Sequence, residues 1–185
     1  SEEEEREVIE HSKATHLRLT GRKLRGWFSP AISNTMATPD LVKEAGLDYF
    51  YKHSTPEDQA KGFRRHIAAA RETGLPLEIH TRDADEDTIR ILTEEYAKGP
   101  FPAILHCFTG GRELALRAVD LGLYVSFSGV VSFKKSEALR EIAKELPLER
   151  MLVETDAPFL APEPFRGKIN EPGYVKYTAM AVARA

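Results

Sequence analysis

The stretch LEIH at residues 77–80 is a short apolar run that ends in a histidine. Two later stretches have the same form: AILH at residues 103–106 ends in His106, and MLVETD at residues 151–156 ends in Asp156. In a barrel of parallel strands, distant ligands meet when each lies at the C-terminal end of its own strand, where active sites of that architecture are found. The three stretches therefore predict a parallel barrel with a metal site formed by His80, His106 and Asp156.

Strands and helices alternate outward from these stretches. Thr55 followed by Pro56 is typical of a helix start, and Gly74 is typical of the end of that helix. Further helices are expected near Asp85–Ala97, up to Gly122, near Ser136–Leu146 and after Pro172. The six candidate strands are Leu24–Phe28, Leu47–Tyr51, Leu77–His80, Ala103–Cys107, Leu123–Ser128 and Met151–Asp156. This alternation predicts an α/β fold, a partial or rearranged (β/α) TIM-type barrel with about six parallel strands.

Length and composition are those of one globular domain. The chain has 185 residues, 42% of them hydrophobic and 30% charged, which is short of the ~250 residues of a complete eight-stranded barrel. No apolar run approaches the ~20 residues that span a membrane, and the acidic residues 1–7 do not resemble a signal peptide. A single cysteine, Cys107, excludes an internal disulfide framework and favours a cytoplasmic location. The net charge of −3 gives no global attraction for nucleic acid, so such a substrate would need a local basic cluster.

Alternation along each strand indicates which side chains line the barrel. If His80, His106 and Asp156 point inward, residues two positions away point inward as well. The inward set then includes Glu78, Ile104, Leu152 and Glu154, and the helix-facing set is Leu77, Ile79, Leu105, Met151 and Val153. Cys107 faces away from His106 in this scheme and is predicted to be a small buried apolar residue. An inward Glu78 requires a cation or hydrogen-bond partners.

The residue types at the strand ends suit metal chemistry. Two neutral imidazoles with carboxylates form a ligand set for Zn²⁺, Mn²⁺ or Mg²⁺. Each residue also has an ordinary interpretation, because a single histidine at a strand end is often only hydrogen-bonded, and an aspartate shortly before Pro158 can start a turn.

Basic and acidic side chains just beyond the strand ends form a second group of candidates. Arg82, Arg166 and Lys168 can hold phosphate oxygens, arginine through two parallel hydrogen bonds and lysine as a point charge. Asp83 is expected to orient Arg82 or His80, and Glu154 is expected to act in the same way beneath Asp156. The alternative is that all of these are ordinary solvated charges.

Five strings in this order carry a family resemblance. They are IHTRDA at residues 79–84, LHCFTG at 105–110, SFSG at 126–129, ETDAP at 154–158 and RGKINEP at 166–172. Together they resemble the TatD family of metal-dependent deoxyribonucleases, and the resemblance covers about residues 44–185. It implies a (β/α) barrel hydrolase that uses one or two divalent cations (Mg²⁺, Mn²⁺ or Zn²⁺) to cleave phosphodiester bonds, acting from the 3′ ends of DNA.

The resemblance also implies a role for each ligand. Glu44, His80 and His106 would bind one ion, and Glu44 and Asp156 would bind a second together with a His-x-His pair. Asp156 would bridge metal and water and accept the proton as the water attacks. In a two-metal phosphodiesterase, one ion lowers the pKa of the attacking water and both hold the attacking and leaving oxygens in line.

The chain departs from the family pattern in two ways. It contains no His-x-His pair, so one ion or fewer per chain and weak 3′-end trimming are expected. Glu44 is also in an unusual context, because Thr38–Gly46 carries the capping pattern of a short helix, and Glu44 either reaches the metal or is held away from it by that helix.

Residues 1–46 resemble a different family. The run TGR at residues 20–22, GWFSP at 26–30 and NT at 34–35 is similar to the polysaccharide deacetylase and allantoinase-like family, although that family's metal motifs are not in the chain. A chimera is therefore predicted, with an α-β-α segment at 1–46 and a barrel segment at 47–185 in one structural domain.

Three functions follow from these resemblances. The leading one is a TatD-type hydrolase with nucleic acid ends as its substrate and no membrane partner. The alternatives are an amide hydrolase or deacetylase, and a non-catalytic chimeric or truncated barrel fragment. Open edges of the sheet would favour self-association in any of the three cases.

Overall fold

A computed structural model of the chain describes residues 44–51 and 54–185, without the side chain of Glu44. The chain divides into two units, Ser1–Glu44 and Ala45–Ala185, and the described residues belong to the second unit, apart from Glu44. The expected strand Leu24–Phe28 and nearly all of the deacetylase-like segment lie outside the described residues. The chimera and its domain boundary stay predictions.

Strands and helices alternate through the described residues. The strands are β1 (Glu44–Asp48), β2 (Leu77–Arg82), β3 (Ala103–Leu105), β4 (Tyr124–Phe127) and β5 (Met151–Val153). The helices are α1 (Pro56–Thr73), α2 (Asp85–Tyr96), α3 (Arg112–Asp120), α4 (Glu137–Glu145) and α5 (Val175–Ala183), with 3₁₀ turns at Gly129–Ser132, Leu148–Arg150 and Pro172–Tyr174. Among the described helices, none has both the length and the apolar character that crossing a bilayer requires.

The strands form one sheet in which spatial order follows chain order, β1-β2-β3-β4-β5. The pairs β2–β3, β3–β4 and β4–β5 are parallel, with Leu77 opposite Ala103, Ile104 opposite Tyr124 and Val125 opposite Met151. Helices connect successive strands, and the predicted α/β fold of parallel strands and helices is confirmed. The C-terminal ends of the strands therefore lie along one edge of the sheet, where the candidate ligands were expected.

One face of the sheet is covered by helices. The strand residues buried on it are Leu77, Ile79, Leu105, Val125 and Phe127, and the helices contribute Ile67, Ile91, Leu92, Leu114 and Ile142. On β5, which is the last strand of the described sheet, Leu152 and Val153 are each 38% exposed. The register pairs Val153 with the buried Phe127, so Val153 lies on the helix-facing side of the sheet as expected, although it is only partly covered.

Helix α1 begins and ends where the sequence indicates. The Thr55 side chain accepts a hydrogen bond of 3.2 Å from the Asp58 amide, and Pro56 occupies the first helical position. Gly74 adopts a left-handed conformation with φ of 67°, and its amide bonds to the Ala70 carbonyl. These interactions satisfy backbone groups that the helix ends would otherwise leave without partners.

The expected helix across Thr38–Gly46 is wrong in its described part, because residues 44–48 form β1. Ala45 and Leu47 are buried, and Gly46 lies against the backbone of β2 with φ of 143°. Burial against the neighbouring strand outweighs the local capping signals, which are a weak preference. The strand ends at Asp48, and not at Tyr51 as expected, because the Asp48 carboxylate accepts the Phe50 and Tyr51 amides and bends the chain into a turn.

Candidate metal centre

Two histidines lie side by side at the C-terminal edge of the sheet. His80 is in β2 and His106 follows β3 directly, and their ring centroids are 5.6 Å apart. The registry between β2 and β3 places Ile79 opposite Leu105, so the residues that follow these two are neighbours. The two histidines that the sequence singles out are thus brought together by parallel pairing.

His80 is positioned by an aspartate at the end of β1. Its Nε2 lies 3.1 Å from Asp48 Oδ2, while Asp48 Oδ1 accepts the Phe50 and Tyr51 amides at 2.9 and 3.0 Å. Burial acts to raise the pKa of Asp48, but the hydrogen bonds from Tyr51, His80 and Phe50 hold it below its ordinary value. Asp48 is therefore a carboxylate at neutral pH and a hydrogen-bond acceptor for His80.

His106 is buried, with 5% of its side chain exposed, and lies between two carboxylates. Its Nδ1 is 3.6 Å from Glu78 Oε1 and 3.5 Å from Glu154 Oε1. Glu154 also accepts the Cys107 amide at 3.0 Å. Burial acts to raise the pKa of Glu154, but hydrogen bonds from His106, Ser126 and the Cys107 amide lower it. The inward Glu78 thus has an imidazole beside it, as its position required.

Asp156 lies close to Glu154 and Cys107. Ligand atoms of these three residues are all within 4.8 Å of one another. The expectation that Cys107 points away from the site is wrong, because β3 ends at Leu105 and Cys107 has a φ of 43°, which reverses the strand alternation. The Cys107 thiol is 3.2 Å from Ser128 Oγ, and burial, with the charges of Asp156 and Glu154, raises its pKa to about 12.

Left-handed backbone conformations occur within three residues of the ends of three strands. Asp83 follows β2 with a φ of 54°, Cys107 lies two residues after β3 with a φ of 43°, and Asp156 lies three residues after β5 with a φ of 54°. Such conformations are costly for residues other than glycine and are concentrated at functional sites, where the surrounding fold enforces them. They turn the chain at the edge of the sheet that carries the histidines.

The three basic candidates each lie over an aromatic ring. The Arg82 guanidinium carbon is 3.8 Å from the Phe50 ring centroid, and that of Arg166 is 4.3 Å from Phe133. Lys168 Nζ is 5.8 Å from the centroid of Phe165. Arg82 is the last residue of β2, whereas Arg166 and Lys168 lie in the loop after β5.

That loop is anchored by Asn170. Its side-chain amide donates to the Phe159 carbonyl at 2.6 Å and to the Thr155 carbonyl, and its backbone amide donates to Pro158 at 2.9 Å. Asn170 is buried, so these hydrogen bonds are sheltered from water. They hold the loop that carries Arg166 and Lys168 against the end of β5, next to Asp156.

Two candidates have a different outcome. The side chain of Glu44 lies outside the described residues, although its backbone begins β1. Asp83 is exposed after β2, and the carboxylate that bonds to His80 is Asp48. Asp48 was missed by the sequence analysis, although it ends an apolar segment, Ala45–Leu47, in the same way that His80 and His106 do. Applying that criterion to every strand would have found it.

A cleft of about 590 Å³ lies beside the histidines and does not include them. It is lined by the end of β2, the start of α2 and residues 109–111, with Tyr49 at one side. Among the described residues that line it, the carboxylates of Asp83, Asp85, Glu86 and Asp87 outnumber a single cation, Arg82. The cleft is therefore an unfavourable place for a polyanion.

The donor groups at the strand ends fit a divalent cation. Asp48 lies beside His80, Glu78 and Glu154 lie beside His106, and Asp156 lies near Glu154 and Cys107. The carboxylates outnumber the imidazoles, which leaves an excess of negative charge. Nitrogen and oxygen donors of this kind suit Zn²⁺ and Mn²⁺, and the oxygens suit Mg²⁺. An ion there would offset the repulsion between the carboxylates.

The chain is similar in sequence to proteins of one family. The model of the family described as TatD related DNase matches residues 29–185. The chain is 49% identical over 142 residues to the uncharacterized metal-dependent hydrolase YabD of Bacillus subtilis (strain 168), covering 77% of this chain and 55% of that protein. It is 36% identical over 167 residues to a protein of Klebsiella pneumoniae (strain 342) named 3'-5' ssDNA/RNA exonuclease TatD, covering 84% and 63%.

A solved structure agrees with these sequence matches. The crystal structure of the TatD homolog YjjV from Escherichia coli K12 superposes with a TM-score of 0.70 at 26% identity, covering 77% of this chain and 54% of that one. The chain thus spans about half the length of the curated relatives it matches.

Proposed function

Because the chain belongs to the family of TatD-related DNases, we propose that it forms part of a metal-dependent hydrolase that trims nucleic acid from its 3′ end. Single-stranded DNA is the proposed substrate. One relative is named a 3'-5' ssDNA/RNA exonuclease, and this name supports the substrate class. The proposal goes beyond family membership, which by itself fixes neither the bond cleaved nor the polymer.

The observation that carries the proposal is the grouping of His80, His106 and Asp156 with carboxylates at one edge of the sheet. His80 and His106 are 5.6 Å apart between ring centroids, His106 is 3.5 Å from Glu154, and Glu154 is within 4.8 Å of Asp156. These contacts make one continuous cluster from three separate strands. Hydrolysis of a phosphodiester needs charge stabilisation and a proton acceptor in one place, and this cluster supplies both kinds of group.

His80 and His106 are the proposed ligands of the ion, together with Asp156 and, as a family expectation, Glu44. Donation from His80 Nε2 to Asp48 leaves Nδ1 with the lone pair, and two carboxylates beside His106 Nδ1 leave Nε2 in the same role. The bound cation would supply a water of lowered pKa and charge stabilisation for the phosphoryl oxygens. Asp48, Glu78 and Glu154 would fix the tautomers of the two imidazoles.

Asp156 is the proposed proton acceptor. A carboxylate that follows β5 and lies within 4.8 Å of Glu154 can take the proton of an attacking water. Its left-handed backbone, with a φ of 54°, directs the residue away from the strand path. Asp83 and Glu154 remain the proposed orienting groups around Arg82 and Asp156.

Arg82, Arg166 and Lys168 are the proposed contacts to phosphate oxygens. Arg82 lies at the end of β2, and Asn170 holds the loop of the other two against the end of β5. The cations therefore flank the cluster from β2 and from β5. Such placement provides the local positive charge that the net charge of −3 does not provide.

The 185-residue chain itself is expected to trim slowly and to bind one ion or fewer. It holds no His-x-His pair, so a second ion would have an incomplete ligand set. Loss of this kind of electrostatic stabilisation commonly costs at least ~10²-fold in rate.

The test is trimming of a 5′-labelled single-stranded oligonucleotide in Mn²⁺ or Mg²⁺. We expect a ladder of products shortened at the 3′ end, and its disappearance in Asp156→Asn, which keeps the shape of the side chain but removes the charge and the proton acceptor. The matched control is Asp120→Asn, because Asp120 is an exposed aspartate at the end of α3. That control should trim like the unchanged chain.

Trimming that persists in Asp156→Asn would contradict the assigned mechanism. An absence of trimming in every divalent cation tested would contradict activity of the 185-residue chain. Cleavage that releases long internal fragments would contradict the preference for ends.

A further inference from the structure

Two aromatic side chains follow β1 at the edge of the sheet that carries the proposed ligands. Phe50 is 53% exposed and Tyr51 is 48% exposed, and their rings meet edge to face with centroids 5.0 Å apart. Exposed rings of this size are normally covered or used in binding when they lie together. Neither the proposed ion site nor the phosphate contacts make use of these rings.

The planar guanidinium group of Arg82 packs against both rings. Its guanidinium carbon is 3.8 Å from the Phe50 centroid and 5.1 Å from that of Tyr51. Both distances are within the ~6 Å over which a cation and a ring attract each other. The two rings and the guanidinium form one surface, which we call the aromatic platform (Phe50, Tyr51 and Arg82).

The aromatic platform is connected to the proposed ion site through Asp48. One carboxylate oxygen of Asp48 accepts the amides of Phe50 and Tyr51, at 2.9 and 3.0 Å, and the other lies 3.1 Å from His80 Nε2. The turn that carries the rings is therefore fixed by the same side chain that orients His80. A ligand on the platform would therefore lie beside His80, one of the proposed ligands of the ion.

We propose that the aromatic platform stacks a base of the single-stranded substrate next to the phosphate that is cleaved. This inference rests on the proposed function and names the part of the substrate that is recognised. Every base has a π-face, so stacking on an aromatic ring is tolerant of sequence, and arginine adds a cation that can also reach a phosphate. The chain has a net charge of −3, so a contact that does not depend on overall charge is needed to hold a polyanion.

The test compares two single-stranded oligonucleotides of equal length, oligo(dT) and an abasic strand with the same backbone. Binding is measured by fluorescence anisotropy in EDTA at low salt, so that neither the ion nor hydrolysis contributes. The full 185-residue chain should bind oligo(dT) more tightly than the abasic strand. Phe50→Ala should lower the affinity for oligo(dT) by at least ~5-fold, the lower end for one base on one ring, and should leave the abasic strand unchanged.

A matched control lies at the opposite edge of the sheet. Tyr124 begins β4, is 37% exposed, and has the Arg150 guanidinium 5.1 Å from its ring centroid. Tyr124→Ala removes the same kind of ring-and-arginine pair and should leave both affinities unchanged. Phe50→Tyr, which keeps the ring, should retain the preference for oligo(dT). The unchanged affinity of Phe50→Ala for the abasic strand shows that its loss on oligo(dT) is not a folding defect.

Equal affinity of the unchanged chain for the two strands would overturn the proposal, as would a preference that survives Phe50→Ala. If the same preparation still trims DNA in the presence of metal, only the platform is contradicted, and the proposed function stands. No binding of either strand would overturn the platform as well, whereas a base preference without any trimming would support the platform and contradict the proposed hydrolysis.

Discussion

Gly46 is the residue that allows β1 to approach the site. A Cβ atom at this position would lie 1.8 Å from the His80 carbonyl oxygen and 2.7 Å from its carbonyl carbon. The φ of 143° is also a conformation that side-chain-bearing residues rarely adopt. The backbone of a proposed ligand thus occupies the space where a methyl group would be, and neither strand can move away without breaking the sheet.

Gly46→Ala should destabilise the fold and displace His80. We expect a loss of about 3 kcal/mol in the free energy of unfolding, the cost of overpacking a well-filled site, measured by urea denaturation. The matched control is Gly62→Ala in α1, where nothing lies within 4 Å of the added Cβ. That change should stabilise the chain by about 0.5–1 kcal/mol. Equal stability of Gly46→Ala and the unchanged chain would contradict the close approach of β1 and β2.

Single residues also show where sequence reasoning stops. His80 and His106 could be identified because each ends an apolar run, and parallel pairing then places them together. The position of Cys107 could not, because alternation holds only while the strand continues, and one left-handed residue reverses it. The exposure of Phe50 and Tyr51 could not be predicted from the sequence, because phenylalanine and tyrosine occur both in the core and on the surface.

At the scale of elements, α1 and α2 are joined by a buried acidic residue. The Glu95 side chain is 4% exposed and bonds to Arg64 and Lys98 at 2.7 Å, with Arg71 at 3.4 Å. Burial acts to raise the pKa of Glu95, but the hydrogen bonds from Lys98 and Arg64 hold it below its ordinary value of 4.5. Glu95 is thus ionised in the folded chain, and its partners offset the cost of burying the charge.

Glu95→Gln should therefore cost about 2 kcal/mol of unfolding free energy at neutral pH, the scale of hydrogen bonds to a charged group. A carboxyl whose pKa is lowered by folding stabilises the fold above its unfolded pKa, and this stabilisation is lost as the pH falls through the folded value. The difference between Glu95→Gln and the unchanged chain should shrink below about pH 4.5.

The control for this change is Glu145→Gln, because Glu145 pairs with Arg112 at 2.8 Å on the exposed surface. It should have little effect at any pH, since exposed ion pairs contribute little. Urea denaturation of both variants at several pH values provides the measurement. A difference for Glu95→Gln that does not depend on pH would contradict the ionised state of Glu95.

The ends of helices were predicted more accurately than the ends of strands. Thr55, Pro56 and Gly74 define α1 through hydrogen bonds that are local in sequence, so the pattern is enough. β1 was mistaken in part for a helix because the strand depends on Gly46 packing against β2, which is a contact between distant segments. Strand ends were predicted too late along the chain at β1, β3, β4 and β5, since ladder pairing decides where a strand stops.

The proposed metal site belongs to the scale of the whole molecule, because its proposed ligands come from separate strands. An ion that binds only the folded chain raises its stability, by about 2.7 kcal/mol when the free ion is at 100 times its Kd. Mn²⁺ or Zn²⁺ should therefore raise the melting temperature, with one ion or fewer per chain by isothermal titration. The double change His80→Ala and His106→Ala should remove both effects.

His66→Ala provides the control for loss of an imidazole elsewhere, because His66 lies within α1. Its ion-dependent shift should match that of the unchanged chain. An undiminished shift in the double variant would place the ion at other residues. The parallel α/β class and the closeness of His80 to His106 could be predicted from the alternation of strands and helices, whereas the contact of Asp48 in β1 with His80 required the folded sheet.

The two-sided role of Asp48 has a thermodynamic consequence. One oxygen serves the turn that carries Phe50 and the other serves His80, so neither can shift without affecting the same carboxylate. A ligand whose binding to the turn shifts Asp48 would change the affinity of the proposed ion by some factor, and the ion would then change the affinity of that ligand by the same factor. Under this proposal a substitution that alters the turn would change both affinities together, so the binding of nucleotide and of metal would be under joint selection.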